Sequence, residues 1–240
     1  MQNAPHHQHI TLPWKQFLSG MRAGLPVALG YVPIAIAFGA LATKARLSPQ
    51  EAVLMSALVF AGASQFMAVG MMLSGAGGLQ IVLATLFVNL RHLIMSMAVH
   101  HTVKEATPSW RSLLSFGITD ETFALLTLQD TEGQTHHTHW FAAGLMGVAY
   151  AGWVLGTAMG SFGAQMIPPS VSAAMIIGLY AMFIALLTPH VRGSWRVAFI
   201  AGSSMALNAL LSSFISAGWA IVLSTTLGAS LGVLVEGGEA

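Results

Sequence analysis

Long apolar runs separated by short polar breaks dominate the chain, and their lengths predict helices that cross a bilayer. Gly24 to Thr43 is about the twenty residues that a hydrocarbon core requires. Ala52 to Leu73, Leu79 to Val99, Leu113 to Leu128, Trp140 to Phe162 and Val171 to Thr188 follow. Val197 to Val235 carries no charge and is long enough for two short helices joined near Ser212 to Ser216. The pattern describes an all-α polytopic membrane protein of six to eight apolar segments. A polar tail (1–23) precedes a single transmembrane domain (24–235), and a short acidic tail (236–240) ends the chain.

Two of the segments are interrupted at their centres. Residues 51–73 contain Gly62-Ala63-Ser64-Gln65, and residues 112–129 contain Gly117-Ile118-Thr119-Asp120. Backbone groups freed by such a break must find partners in hydrocarbon, so breaks belong where they are buried in protein or line a cavity. Both segments are therefore expected to be broken or re-entrant helices. The plainer alternative for Gly62, Ala63 and Ser64 is a close helix crossing that small residues permit. In the first segment Pro26 and Pro33 loosen the hydrogen-bond ladder and predict kinks.

The third segment carries a polar stripe. Thr85, Asn89, His92 and Ser96 are spaced to share one helical face, which should turn from lipid. Arg91 points about 200° away from Asn89, and an unpaired Arg at that depth costs roughly 2.5–3.5 kcal/mol. Asp120 and Glu121, in the middle of the fourth segment, are its natural counter-charges. They read either as a buried brace for Arg91 or as proton carriers, and the two roles are compatible.

Composition agrees with the pattern. Hydrophobic residues make up 55% of the chain and charged residues 7%, against about a quarter charged in a soluble domain. The formal net charge of +1 gives no basis for a nucleic-acid partner. Without cysteine there is neither a disulfide nor a thiolate metal site. The histidines of the tail (His6, His7, His9) and of the loop (His136, His137, His139) read as solvated groups, so no metal and no cofactor is expected. Gly152, Gly156 and Gly160 recur at helical spacing and read as a packing face. No removable signal peptide is evident in the first 23 residues.

Loop charges bear on topology. If every segment crosses, Lys and Arg are shared equally between the two sides. If 51–73 and 112–129 return to the side they entered, Lys15, Arg22, Lys104, Arg111, Arg192 and Arg196 face Lys44 and Arg46 across the membrane. The second arrangement follows the positive-inside rule, with a cytoplasmic N-terminus. Paired interrupted segments are also the pattern of carriers that hold solute near the midplane.

Several of these residues together resemble a known family. Pro26, Pro33 and Gly39, Ser56 with Phe60-Ala61-Gly62-Ala63-Ser64-Gln65-Phe66, Asn89-Leu90-Arg91-His92 with Ser96, and Thr119-Asp120-Glu121 look like the AzlC-type permeases. These are the large subunits of bacterial branched-chain amino acid exporters. The resemblance spans roughly residues 15 to 235 and departs at Ile34-Ala35, where the family often has an aromatic and a glycine. It implies inner-membrane export of valine, leucine, isoleucine and sometimes methionine, driven by protons, with a small AzlD-type membrane subunit as partner.

A zwitterionic solute suits these residues. Gly62, Ala63, Ser64 and Gln65 offer backbone N–H groups at a helix N-terminus for a carboxylate. Asn89, His92 and the acids Asp120 and Glu121 offer polar groups for the ammonium and the proton. Two other classes compete with the carrier. One is an uncoupled pore for small neutral solutes; the other is a membrane hydrolase using Ser64 and His92, which lacks an orienting acid beside them.

Overall fold

The computed structural model describes residues 12–102, 106–131, 138–166 and 191–236, with isolated positions between 168 and 188. Every regular element among them is helical. In chain order these are α1 (Pro13–Lys44), α2 (Pro49–Val59), α3 (Gly62–Leu73), α4 (Gly78–Thr102), α5 (Pro108–Phe116), α6 (Asp120–Thr131), α7 (His139–Phe162), a short 3-10 turn (Ala164–Met166), α8 (Trp195–Leu211) and α9 (Ala217–Glu236). Among the described residues α1, α4 and α7 are long and apolar enough to cross a membrane, whereas α3, α8 and α9 contribute shorter apolar stretches.

One difference from the sequence reading has a physical cause. Helix α1 begins at Pro13, inside the expected polar tail, because its first turns are amphipathic rather than apolar: Gly20 is buried and the Phe17 backbone lies against Gly144, while Trp14 and Lys15 remain exposed. The same helix runs on through Pro26 and Pro33, as transmembrane helices can when neighbouring structure compensates for the missing donor. Each interrupted segment is two separate helices, α2 with α3 and α5 with α6. The expected pair at the end of the chain is present as α8 and α9, joined through 212–216. The expected segment Val171 to Thr188 lies almost wholly outside the described residues, as do His6, His7, His9, His136 and His137.

The chain forms two compact units, Met1–Leu29 with Ile94–Ala151 and Gly30–Leu93 with Gly152–Ala240. In the first, α1 and α7 meet backbone to backbone. A Cβ on Gly20 would fall 2.0 Å from the Phe141 carbonyl oxygen, and one on Gly144 would fall 2.1 Å from that of Phe17. Thr138 hydrogen-bonds Gln16 at the start of α7. Helix α5 starts at a Thr107 cap with Pro108 in its first turn, and it runs parallel to α7. Trp110 stacks edge-on to Trp140 at 4.9 Å, Gly117 lies against Met146, and Phe116 meets Tyr150 at 5.9 Å.

Helix α6 then doubles back. Had it continued in the direction of α5, Thr131 would end roughly 30 Å from the level of His139, whereas the seven links to Thr138 reach at most about 25 Å. Leu126 accordingly joins the same buried cluster as Leu114, Ile118, Phe141, Leu145 and Met146.

In the second unit α1 and α7 again run parallel: Val32 faces Gly156, and Ile36 faces Gly160. The expected packing role of this glycine series thus holds at Gly156 and Gly160. Helix α2 begins at a Ser48–Glu51 capping box and descends until its Ser56 reaches Thr157. Helix α3 folds back beside it, since Gln65 reaches Ser56 across the break. Met71, Ala84 and Val222 close a smaller core, with Gln80 bonded to Ser216. Helix α9 lies on α8 where Gly228 admits Ser204.

Candidate functional site

The break between α2 and α3 is shaped by two residues. Phe60 takes a left-handed conformation (φ 44, ψ 46) that a bulky side chain rarely adopts, and Ala61 turns the chain into α3. Surrounding contacts hold this strained corner. The Phe60 ring is buried and meets Tyr31 edge-on, and Tyr31 meets Trp153 in the same way.

Gln65 organises the corner. It is fully buried, and its Oε1 accepts hydrogen bonds from the Trp153 indole N–H at 3.0 Å and the Ala61 N–H at 3.3 Å. Its Nε2 donates to Ser56 Oγ at 3.0 Å, and Ser56 shares a 2.7 Å hydroxyl contact with Thr157. Thr157 in turn donates to the Trp153 carbonyl, and Ser64 donates to the Ala61 carbonyl. Ser56, Ser64, Gln65 and Thr157 are all buried. Such a satisfied network in a low-dielectric interior specifies one arrangement of the break.

The N-cap residue of α3, Ala61, has no side chain with which to cap the first turn, and Gln65 reaches this helix end at the Ala61 N–H. Its first turn, Gly62, Ala63 and Ser64, is the end of a helix where backbone donors and the dipole favour an anion. Gly62 is small because Trp153 lies over it: a Cβ there would stand 2.8 Å from the indole ring.

The break between α5 and α6 is built differently. Gly117 ends α5, and Thr119 with Thr122 forms a reciprocal cap. The Thr119 N–H donates to Thr122 Oγ1 at 2.8 Å, the Thr122 N–H donates to Thr119 Oγ1 at 3.3 Å, and Thr122 Oγ1 donates to the Gly117 carbonyl at 3.1 Å. Asp120 and Glu121 follow in the first turn of α6, partly buried, where the helix dipole complements a carboxylate.

The polar stripe of α4 divides between the units. Thr85, Asn89 and His92 fall in the second unit with Arg91, and Ser96 falls in the first with Asp120 and Glu121. Thr85 spends its hydroxyl proton on the Ile81 carbonyl. Asn89 is partly buried, and its Oδ1 is buried with no hydrogen-bond partner among the described residues. Arg91 and His92 are also partly buried. The structure thus gathers Gly62, Ala63, Ser64 and Gln65 at one break and Asp120 and Glu121 at the other. Sequence reading missed Trp153 and Thr157, the partners of Gln65 and Ser56. A Trp and a Thr four residues apart on the glycine face of α7 were the available signal.

Both breaks and the Asn89 to His92 turn lie within residues 26–167, the part of the chain that matches a family model described as "AzlC protein". The chain belongs to the AzlC family. Relatives of this AzlC-family chain include an "Uncharacterized membrane protein" of Archaeoglobus fulgidus, 33% identical over 193 residues that cover 80% of this chain and 83% of that protein. The "Inner membrane protein YgaZ" of Escherichia coli is 31% identical over 175 residues, 71% of each chain. The "Branched-chain amino acid transport protein AzlC" of Bacillus subtilis is 26% identical over 147 residues, 61% of this chain and 57% of that protein. No solved structure matches. Family and helices together make the chain a multi-pass membrane protein.

Proposed function

We infer that this AzlC-family chain is a secondary transporter that exports valine, leucine and isoleucine, and with them methionine, together with a small AzlD-type subunit and at the expense of the proton gradient. The observation that carries the reading is the pair of helix hairpins, each broken at small and polar residues within the family match. The Bacillus subtilis relative, named for branched-chain amino acid transport, supports the solute class.

The roles follow from the chemistry. The first turn of α3, Gly62 to Ser64, receives the carboxylate, and Gln65 positions that turn rather than touching solute, because its amide is taken up by Trp153, Ala61 and Ser56. The orphaned Oδ1 of Asn89 accepts from the ammonium, with His92 one turn along the same helix. Asp120 or Glu121 carries the proton, and Arg91 compensates charge. Branched side chains differ by about one methylene, worth only about 1–3 kcal/mol, so selectivity among them is broad.

Intracellular valine, leucine and methionine measured in cells with and without the chain and its small neighbour test the reading; all three should fall when both are expressed. Asp120→Asn or Glu121→Gln should abolish export against a gradient at normal expression. Export unaffected by both substitutions removes the acids from coupling, and pH-independent flux in proteoliposomes replaces the carrier with a pore.

A further inference from the structure

A cleft of about 230 Å³ lies wholly within the first unit, beside the α5–α6 break. It is small against the roughly 300–1,000 Å³ of drug-sized sites, so it suits one compact solute. Part of its lining is polar, Arg111 with Ser112 and Ser115 from α5 and Ser96 from α4. The rest is apolar, from the buried residues Val99 of α4, Leu114 of α5 and Ile118 just after it. Ile118 belongs to the break itself, so the cleft leads to the residue before the Thr119 cap.

The polar lining is also two-signed. Ser112 donates its proton to the Pro108 carbonyl at 3.1 Å and Ser115 to the Ser112 carbonyl at 2.9 Å. Both hydroxyl oxygens therefore keep acceptor lone pairs for a cation. The Arg111 guanidinium carries five donors in a planar fork, enough to serve a carboxylate alongside another partner. A cation, hydroxyl acceptors and an aliphatic lining around one small volume match the three parts of an aliphatic amino acid.

Resting on the transport reading above, we propose that this cleft is a second, vestibular site for the zwitterion of a small aliphatic amino acid. Arg111 holds the carboxylate, Ser112 and Ser115 accept from the ammonium, and Val99, Leu114 and Ile118 receive the side chain. A phosphate group would satisfy Arg111 but would face the apolar lining unmatched, which favours the amino acid over a lipid headgroup.

The test uses the full chain with its small subunit in proteoliposomes, following labelled leucine and competing with isocaproate, which lacks the ammonium, and leucinol, which lacks the carboxylate. Arg111→Gln should raise the leucine KM about tenfold with maximal rate within twofold. It should weaken competition by isocaproate while sparing leucinol, and Arg111→Lys should recover part of the loss. Ser115→Phe, starting from an exposed position on the rim, should fill the cleft and raise KM as well. Wild-type protein that moves no branched-chain amino acid defeats the transport reading. Wild-type transport with an unchanged KM in Arg111→Gln and Ser115→Phe overturns this site alone. A KM shift that vanishes when anionic lipid is replaced by phosphatidylcholine gives the cleft to a headgroup, and also overturns it.

Discussion

The two broken hairpins solve one problem with opposite chemistry. At Phe60–Ala61 the freed backbone is secured by side chains from elsewhere, with Gln65 tying α2, α3 and α7 through Ser56, Ala61 and Trp153. At Gly117–Thr119 the backbone secures itself, with Thr119 and Thr122 capping each other. The first break is fixed because three helices share its hydrogen bonds, yet its N-cap residue, Ala61, offers the first turn of α3 no capping side chain. The second is locally closed and sets two carboxylates in the first turn of α6. A fixed frame around a helix N-terminus suits holding an anion. A self-contained hairpin carrying acids suits a part that changes charge without unpacking its neighbours.

The sharpest way to break this contrast is Gln65→Ala. It orphans the Trp153 indole N–H and the Ala61 N–H in a buried setting, at about 1–3 kcal/mol for each donor, so about 2–6 kcal/mol together. Unfolding of purified protein in bicelles should show a loss of that size. Gln65→Leu, which restores volume without the amide, should recover only the cavity part. If Gln65→Leu were as stable as the parent, the network would be incidental and both breaks would be self-sufficient.

A smaller effect tests whether Trp153 is the lid on Gly62. Gly62→Ala pushes a methyl to within 2.8 Å of the indole, and overpacking of this kind costs about 1–3 kcal/mol. The atom it meets, Cη2, belongs to the part of the ring that phenylalanine lacks. In a Trp153→Phe background the same substitution should therefore cost clearly less, and the coupling from a double-mutant cycle should be at least about 0.5 kcal/mol. Additive costs would mean that the clash is relieved elsewhere.

Much of this was legible in the sequence. Gly62-Ala63-Ser64 and Gly117-Ile118-Thr119 marked both breaks because small and polar residues stand out in an apolar run. The placement of Lys and Arg in the loops favoured segments that return over segments that cross, without deciding between them. The role of Gln65 was not legible, since its partner Trp153 lies 88 residues further on and no local period pairs them. Nor was the start of α1 legible: an apolar window cannot see turns that bury only Gly20 and bring the Phe17 backbone against Gly144. Arg111 read as a loop charge for orientation, because the cleft it lines forms only where Ser96 and Val99 of α4 meet α5.

The smallest expected effect lies at the other hairpin. Thr119→Ala removes the acceptor for the Thr122 N–H while leaving the Thr119 N–H bonded to Thr122 Oγ1, and losing an N-cap hydroxyl costs about 0.5–2 kcal/mol. Thr119→Ser keeps the hydroxyl and should be nearly neutral, which separates the cap from the methyl packing. Thermal unfolding of both variants beside Gln65→Ala ranks the two breaks directly. Because the cap is local, Thr119→Ala should leave the energetics of the Gln65 network additive in the double variant. A non-additive result would mean that the two hairpins stabilise each other, and the division into a borrowed and a self-made corner would give way to one coupled frame.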